Sequence, residues 1–183
     1  VSFTARPRTT LAIIGPTGSG KSTIVKLMER FYDVTEGSVT IDGIDVRDLA
    51  QADLRATFGY APQTAFLFSG TVRSNVAYSD EAMPDERVQN ALAIAQAQAF
   101  VDERAEGLDA PIAQGGSNVS GGQRQRLAVA RALATEARAF LFDDTFSALD
   151  YKTDALLRAE LDRSLGGTTR IIVAQRIATI MHA

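Results

Sequence analysis

Ile13-Ile14-Gly15-Pro16-Thr17-Gly18-Ser19-Gly20-Lys21-Ser22-Thr23 decides how the rest of the chain is read. Glycine, four residues, glycine, lysine and a hydroxyl residue form the phosphate-loop pattern. The apolar run from Leu11 to Ile14 reads as a buried strand leading in, and Ile24, Leu27, Met28 and Phe31 recur at helical spacing behind it. Gly15, Gly18 and Gly20 are expected to take the backbone through conformations closed to residues with side chains, so that successive amides converge. Pro16, Thr17, Ser19 and Thr23 complete the cradle, and the helix beginning near Lys21 adds its bare first amides. Lys21 brings a mobile point charge to β- and γ-phosphates, and Ser22 offers a hydroxyl to Mg2+. The bland alternative is a glycine-rich turn ahead of an ordinary helix.

At 183 residues the chain can bury one good core, or a core plus a small lobe. A net charge of -3 offers no basic stripe to hold a nucleic-acid backbone, which argues against a nucleic-acid partner. With no cysteine there is no disulfide, thiolate metal site or cysteine nucleophile. No apolar run approaches the ~18 residues of a spanning helix, and no leader segment is evident. Val1-Ser2-Phe3 starts in mid-strand and Ile180 to Ala183 stops without a cap, so both ends read as cut.

Val1 to Ala5 and Thr10 to Ile14 read as strands joined by a turn at Arg6-Pro7-Arg8. Glu36 to Val46 reads as a hairpin turning at Asp42-Gly43, Gln51 to Ala56 as a short helix and Phe58 to Ala61 as a buried strand. From Thr71 to about Thr135 strand patterns are absent. Helices are predicted at Thr71 to Ala77, Pro84 to Ala95, Gln96 to Glu103 and Gly121 to Thr135. Sheet patterning returns at Ala139 to Phe142, followed by a helix from Tyr151 to Leu165, a strand from Thr168 to Ala174 and the start of another helix. The expected fold is α/β: a P-loop three-layer core with a mostly parallel sheet, a partial antiparallel β lobe and an inserted helical lobe. The expected division is 1–70 for the first part of the core, 71–135 for the helical lobe and 136–183 for the second part.

Ala139 to Phe142 ends in Asp143-Asp144, which puts Asp143 at a strand tip facing the phosphate loop, where it can hold Mg2+. Asp144 beside it is placed to orient and deprotonate an attacking water. The alternative for both is a solvated acidic turn where the chain surfaces.

Asn118-Val119-Ser120-Gly121-Gly122-Gln123-Arg124-Gln125-Arg126 then makes the reading specific, because it resembles the signature motif of ATP-binding cassette (ABC) domains, the ATPases of transporters. Ser120 is a natural N-cap, Gly121 and Gly122 leave the first amides bare, and Gln123 stands at the capping-box position. The resemblance implies that Ser120, Gly121, Gly122 and Gln123 close over ATP held by a second cassette in a head-to-tail pair. Tyr60-Ala61-Pro62-Gln63 resembles the loop whose glutamine reaches Mg2+ and the attacking water. Thr64 to Val72 resembles the exporter surface that receives coupling helices of a transmembrane domain, although by residues alone Phe66, Leu67 and Phe68 are equally good core. Ser147-Ala148-Leu149-Asp150 resembles the loop that crosses between the two cassettes. The implied setting is the cytoplasmic face of a cell membrane.

Some positions depart from the family pattern. Asp144 stands where a catalytic glutamate is expected, Gln175 replaces the switch histidine, and Gln114 replaces a glutamate upstream of the signature. The histidine in the chain, His182, lies past the switch position and reads as a surface residue. Aspartate is one methylene shorter, and a misplacement of about 1 Å costs on the order of a hundredfold in rate. Gln175 can donate a hydrogen bond to a γ-phosphate but cannot relay a proton. These changes suggest the degenerate-site half of a heterodimeric exporter, holding ATP tightly and hydrolysing it slowly while its signature completes the partner's site. The alternatives are a homodimer with two equal sites using Asp144 as base, an ATP-binding interaction module that never turns over, or a cassette without membrane domains. The adenine-stacking residue that the resemblance implies would lie upstream of Val1. A lone cassette of this length is expected to be monomeric without nucleotide.

Overall fold

The computed structural model describes residues 1–175; Arg176, His182 and the expected final helix lie outside the described residues. In chain order the structure runs β1 (Thr10–Ile14), α1 (Lys21–Met28), β2 (Thr40–Ile41), β3 (Ile44–Asp45), α2 (Gln51–Ala56), β4 (Phe58–Ala61), β5 (Gly70–Thr71) and α3 (Val72–Val76). It continues with α4 (Asp85–Ile94), α5 (Gln98–Asp102), β6 (Pro111–Ile112), α6 (Gly121–Leu133), β7 (Ala139–Asp143), α7 (Tyr151–Ser164) and β8 (Thr169–Ala174).

The central sheet has the order β1-β8-β7-β4, and every pairing in it is parallel. Successive side chains of a strand alternate between faces, and β7 shows this directly. Phe140 and Phe142 pack with Leu127 and Val129 of α6, Leu157 and Leu161 of α7, and Val76 and Leu92 of the helical lobe. Leu141 points the other way, packing with Ile171 and Val173 of β8 and with Val25 and Met28 of α1. Helices on both faces bury β7 from Phe140 onward, which is why its sequence is continuously apolar rather than alternating. The result is the expected three-layer α/β core with an inserted helical lobe.

Register places the chemistry. Ile14 lies beside Ala174 and Asp143 beside Val173. Gly15, Asp144 and Gln175 therefore leave the sheet at the same end, where ligands of open α/β sheets bind.

The small antiparallel lobe is the β2–β3 hairpin, with Asp42 at φ 51° and Gly43 at φ 85°, the paired left-handed residues of a tight hairpin turn.

Elsewhere local pattern yielded to context. Val1 to Ala5 has strand periodicity, but among the described residues it pairs with nothing, and Val1 and Phe3 stay exposed. Helix α1 stops at Met28 because Arg30 takes a left-handed φ of 54°. Its buried face is thus Val25 and Met28, and Phe31 lies half exposed under the Arg55 guanidinium, 5.2 Å from the ring centroid. Gln96, at φ 56°, likewise separates α4 from α5, which starts at Gln98. The helical lobe, read as strand-free, holds the β5–β6 pair, whose strands of two residues each are too short to leave a periodicity.

Glu29, the C-cap of α1, is buried with Oε2 unpartnered. Burial pushes its carboxyl from 4.5 up to about 7, against a smaller pull from Arg55. A group whose folded pKa is raised contributes stability that is full below 4.5 and is lost as pH climbs through about 7. Glu29→Gln should therefore gain on the native chain as pH rises, by roughly 2–3 kcal/mol near pH 8. Denaturant titrations at several pH values test this; parallel stability curves for the two proteins would sink it.

Candidate nucleotide site

Between β1 and α1 the loop Gly15 to Gly20 curls back on itself. Gly18 and Gly20 have φ of 80° and 89°, the left-handed values that glycine adopts without strain. Gly15 does not share that conformation; a Cβ there would lie 2.7 Å from Ser19 Oγ, which would have to rotate away. Gly20 caps α1 without a side-chain bond, so the first amides of the helix stay free for an anion. Lys21, 8% exposed, folds over the loop and donates from Nζ to Gly15 O at 2.7 Å and Pro16 O at 2.8 Å.

Ser22 Oγ donates to Asp143 Oδ1 at 2.7 Å, joining α1 to the tip of β7. Burial, with a smaller contribution from Asp144, raises the Asp143 carboxyl above its ordinary range, while Ser22 and two lysines oppose the shift. A cation at this spot would relieve a buried carboxylate. Mg2+ is characteristically held by one or two carboxylates plus substrate phosphates rather than by a protein cage. Ser22 and Asp143 thus fit Mg2+ that arrives with a phosphate.

Asp144 is buried, at φ 46° and ψ 27°. Its amide donates to Val173 O at 3.0 Å, and Ser147 Oγ donates to its carbonyl at 2.8 Å, which fix this left-handed residue from both sides. The carboxylate Oδ2 accepts from Gln63 Nε2 at 3.2 Å and from Gln175 Nε2 at 2.7 Å. Gln175 in turn accepts from Thr17 Oγ1 at 3.2 Å. A cavity of about 220 Å³ is lined by Thr17, Gly18, Lys21, Gln63, Asp144 and Gln175 among others. Residues far apart in sequence are thereby gathered on one cavity beside the phosphate loop.

Ser120 to Gln123 form a complete capping box: Ser120 Oγ accepts from Gln123 N at 3.2 Å, and Ser120 N donates to Gln123 Oε1 at 3.0 Å. None of them lines the cavity at the phosphate loop. A Cβ on Gly121 would meet nothing within 4 Å, so this helix end opens outward. Asp150 caps α7 through Thr153 N at 3.0 Å.

The segment after Gln63 divides between core and surface. Leu67 is fully buried, whereas Phe66 and Phe68 are 47% and 38% exposed. Phe68 stacks on Tyr78 at 4.6 Å, and Gln114 Oε1 accepts from Ser69 N at 3.2 Å. A groove of about 500 Å³ runs alongside, lined by Phe68, Thr71, Arg73 and Tyr78 among others. Tyr78, Asn75, Gln125 and Arg131, which organise this region, were not singled out by sequence; their partners lie up to 65 positions away, leaving no local pattern.

A phosphate loop, a hydroxyl–carboxylate pair able to hold Mg2+ and a second carboxylate beside a glutamine define a P-loop nucleotide-binding domain. The ABC transporter family model matches residues 1–147. An ABC transporter ATP-binding protein of Mycobacterium tuberculosis is 49% identical over 186 residues, covering 100% of this chain and 32% of the relative. The ATP-dependent lipid A-core flippase of Vibrio cholerae is 41% identical over 184 residues, covering 100% of this chain and 32% of the relative. Among solved structures, a bacterial Atm1-family ABC exporter with ATP bound superposes with a TM-score of 0.92 at 36% identity, over 96% of this chain and 31% of that one. The chain belongs to the ABC transporter family, as an ATP-binding and ATP-hydrolysing domain. It spans about a third of the length of the relatives it matches. Among the described residues no helix is long and apolar enough to cross a membrane.

Proposed function

We propose that this cassette works at the cytoplasmic face of a cell membrane, in an exporter whose two cassettes close head-to-tail over ATP, with Asp144 as the base of two equal sites. The observation that carries the reading is the position of the Asp144 carboxylate, which lines the phosphate cavity within hydrogen-bond reach of Gln63 and Gln175. Lys21 and the loop from Gly15 to Gly20 hold the phosphates, while Ser22, Asp143 and Gln63 serve Mg2+. Asp144 takes the proton of the attacking water. Ser120, Gly121, Gly122 and Gln123 present a bare helix end to the γ-phosphate on the opposite cassette. Coupling helices of the membrane domain dock on the groove beside Phe68 and Tyr78.

A second reading has its own support. Both amides end on the same Asp144 oxygen, which leaves that oxygen less available to a water, and neither Gln175 nor Gln114 can titrate. On that reading the cassette is the slow half of a heterodimer and serves mainly to complete its partner's site. Turnover by the full-length protein expressed alone separates the two. Mg2+-dependent hydrolysis without a second kind of cassette is expected of two equal sites. Hydrolysis only in the presence of a non-identical cassette, with a new active site created by Asp144→Glu plus Gln175→His, would replace the first reading with the second.

A further inference from the structure

The loop from Pro62 to Phe68 has no ladder of its own, yet it is fastened at both ends to α6. Gln125, 2% exposed, donates from Nε2 to Pro62 O at 2.9 Å. Further along the same helix Arg131 donates from Nη1 to Phe66 O at 2.9 Å. Its Nε and Nη2 go to the carbonyl and side-chain oxygens of Asn75 at 2.8 and 2.7 Å. Asn75 then pairs with the Phe68 backbone, accepting from its N–H and donating to its C=O, both at 2.9 Å. The guanidinium also lies 5.3 Å from the Phe68 centroid and 5.4 Å from that of Tyr78. Each of these donors is matched to an acceptor, and the arginine fork reaches three oxygens from three separate nitrogens, a spread that the single ammonium nitrogen of a lysine does not match.

We infer that Gln125 and Arg131 clamp this loop to α6, so that loop and helix shift as one body. Gln63 sits inside the clamped loop, and Ser120 begins the clamped helix. A push on the exposed Phe66 and Phe68 rings then reaches this chain's own nucleotide through Gln63 and the opposite cassette's nucleotide through Ser120 in the same movement. Gln125 and Arg131 are therefore positioning residues for two sites at once. The inference rests on the proposed roles of Gln63 and Ser120.

The test uses the full-length protein with Arg131→Met, Arg131→Lys and Gln125→Leu, measuring kcat, KM for ATP, nucleotide affinity and Tm. Releasing the loop should lower kcat about tenfold, since displacements near 1 Å are costly in rate. ATP affinity should stay within about twofold, because Gly15 to Ser22 make none of these contacts. Arg131→Lys should recover part of the loss, and the Arg131→Met, Gln125→Leu double variant should lose less than the product of the singles. A rate per folded, ATP-binding molecule that matches the native chain would overturn the clamp, as would a raised KM with unchanged kcat. If Arg131→Met does not fold, Gln125→Leu, an apolar replacement of similar size, carries the same comparison. Normal turnover in Gln63→Ala or Ser120→Arg would instead overturn the underlying site assignment, and the inference with it.

Discussion

Asp144→Asn should cut ATP turnover by about a hundredfold or more while leaving ATP affinity within a fewfold. The substitution keeps the size of the side chain and removes its negative charge, and with it the capacity to take a proton. Asp144 is held at its backbone by Val173 and Ser147, so the amide replacement inherits the same left-handed position. On the proposed reading binding rests on Lys21 and the free amides of α1, which the change does not touch. Single-turnover hydrolysis measured beside nucleotide binding separates the two effects. Retention of more than about a third of the native rate would show that proton removal by Asp144 is not what limits the reaction. Asp144→Glu is a weaker perturbation of opposite character. Gln175 Nε2 already stands 2.7 Å from Oδ2, so an added methylene must displace Gln175 or turn the carboxylate away from it. A glutamate is therefore not guaranteed to work better here than the shorter acid, despite the family pattern.

That point marks where sequence stopped being informative. The phosphate loop was legible because its requirements are local: Gly18 and Gly20 supply left-handed turns, and Lys21 begins a helix whose first amides stay bare. The pairing of Ser22 with Asp143, 121 residues apart, was legible for a different reason. An apolar strand ending in a carboxylate has one place to emerge in a parallel sheet, at the same edge as the loop. The shortness of Asp144 was also visible, but not its backbone. A non-glycine residue at positive φ is encoded by what packs around it, here a Val173 carbonyl and a Ser147 hydroxyl, rather than by its own identity. Glu29 shows the same limit from the other side, because nothing local marks a charged residue at a helix end as buried. The Val1 to Ala5 pattern announced a strand whose partner is missing among the described residues, since alternation specifies a face and not a neighbour. Arg131 escaped altogether: on a helical wheel it is one more arginine of α6, and only the fold brings Phe66 O, Asn75 O and the Phe68 ring to it.

Ser120→Arg should be as damaging as Asp144→Asn, but on the opposite nucleotide. The N-cap bond from Gln123 N to Ser120 Oγ is lost, which costs about 1 kcal/mol, too little to unfold the domain. The bulk of arginine, however, fills the space outside Gly121 and Gly122, where the bare amides would meet a γ-phosphate. Removing preorganised donors from a developing charge costs on the order of a hundredfold or more in rate. Which nucleotide suffers is decided by pairing Ser120→Arg with Lys21→Ala in mixed assemblies of two copies. If Ser120 serves the opposite site, placing the changes in different copies damages the same site twice and leaves the other whole. Placing both in one copy then damages each site once and leaves none. Activity should accordingly survive, near half, only in the first arrangement. The reverse pattern would mean that Ser120 serves the phosphate loop of its own chain, and no head-to-tail arrangement would be needed to explain the signature helix. Equal loss in both arrangements would mean that neither site turns over unless both are intact. Nucleotide trapping at each site would then be needed to locate the damage, and the expectation is that it falls on the copy whose Ser120 is unaltered.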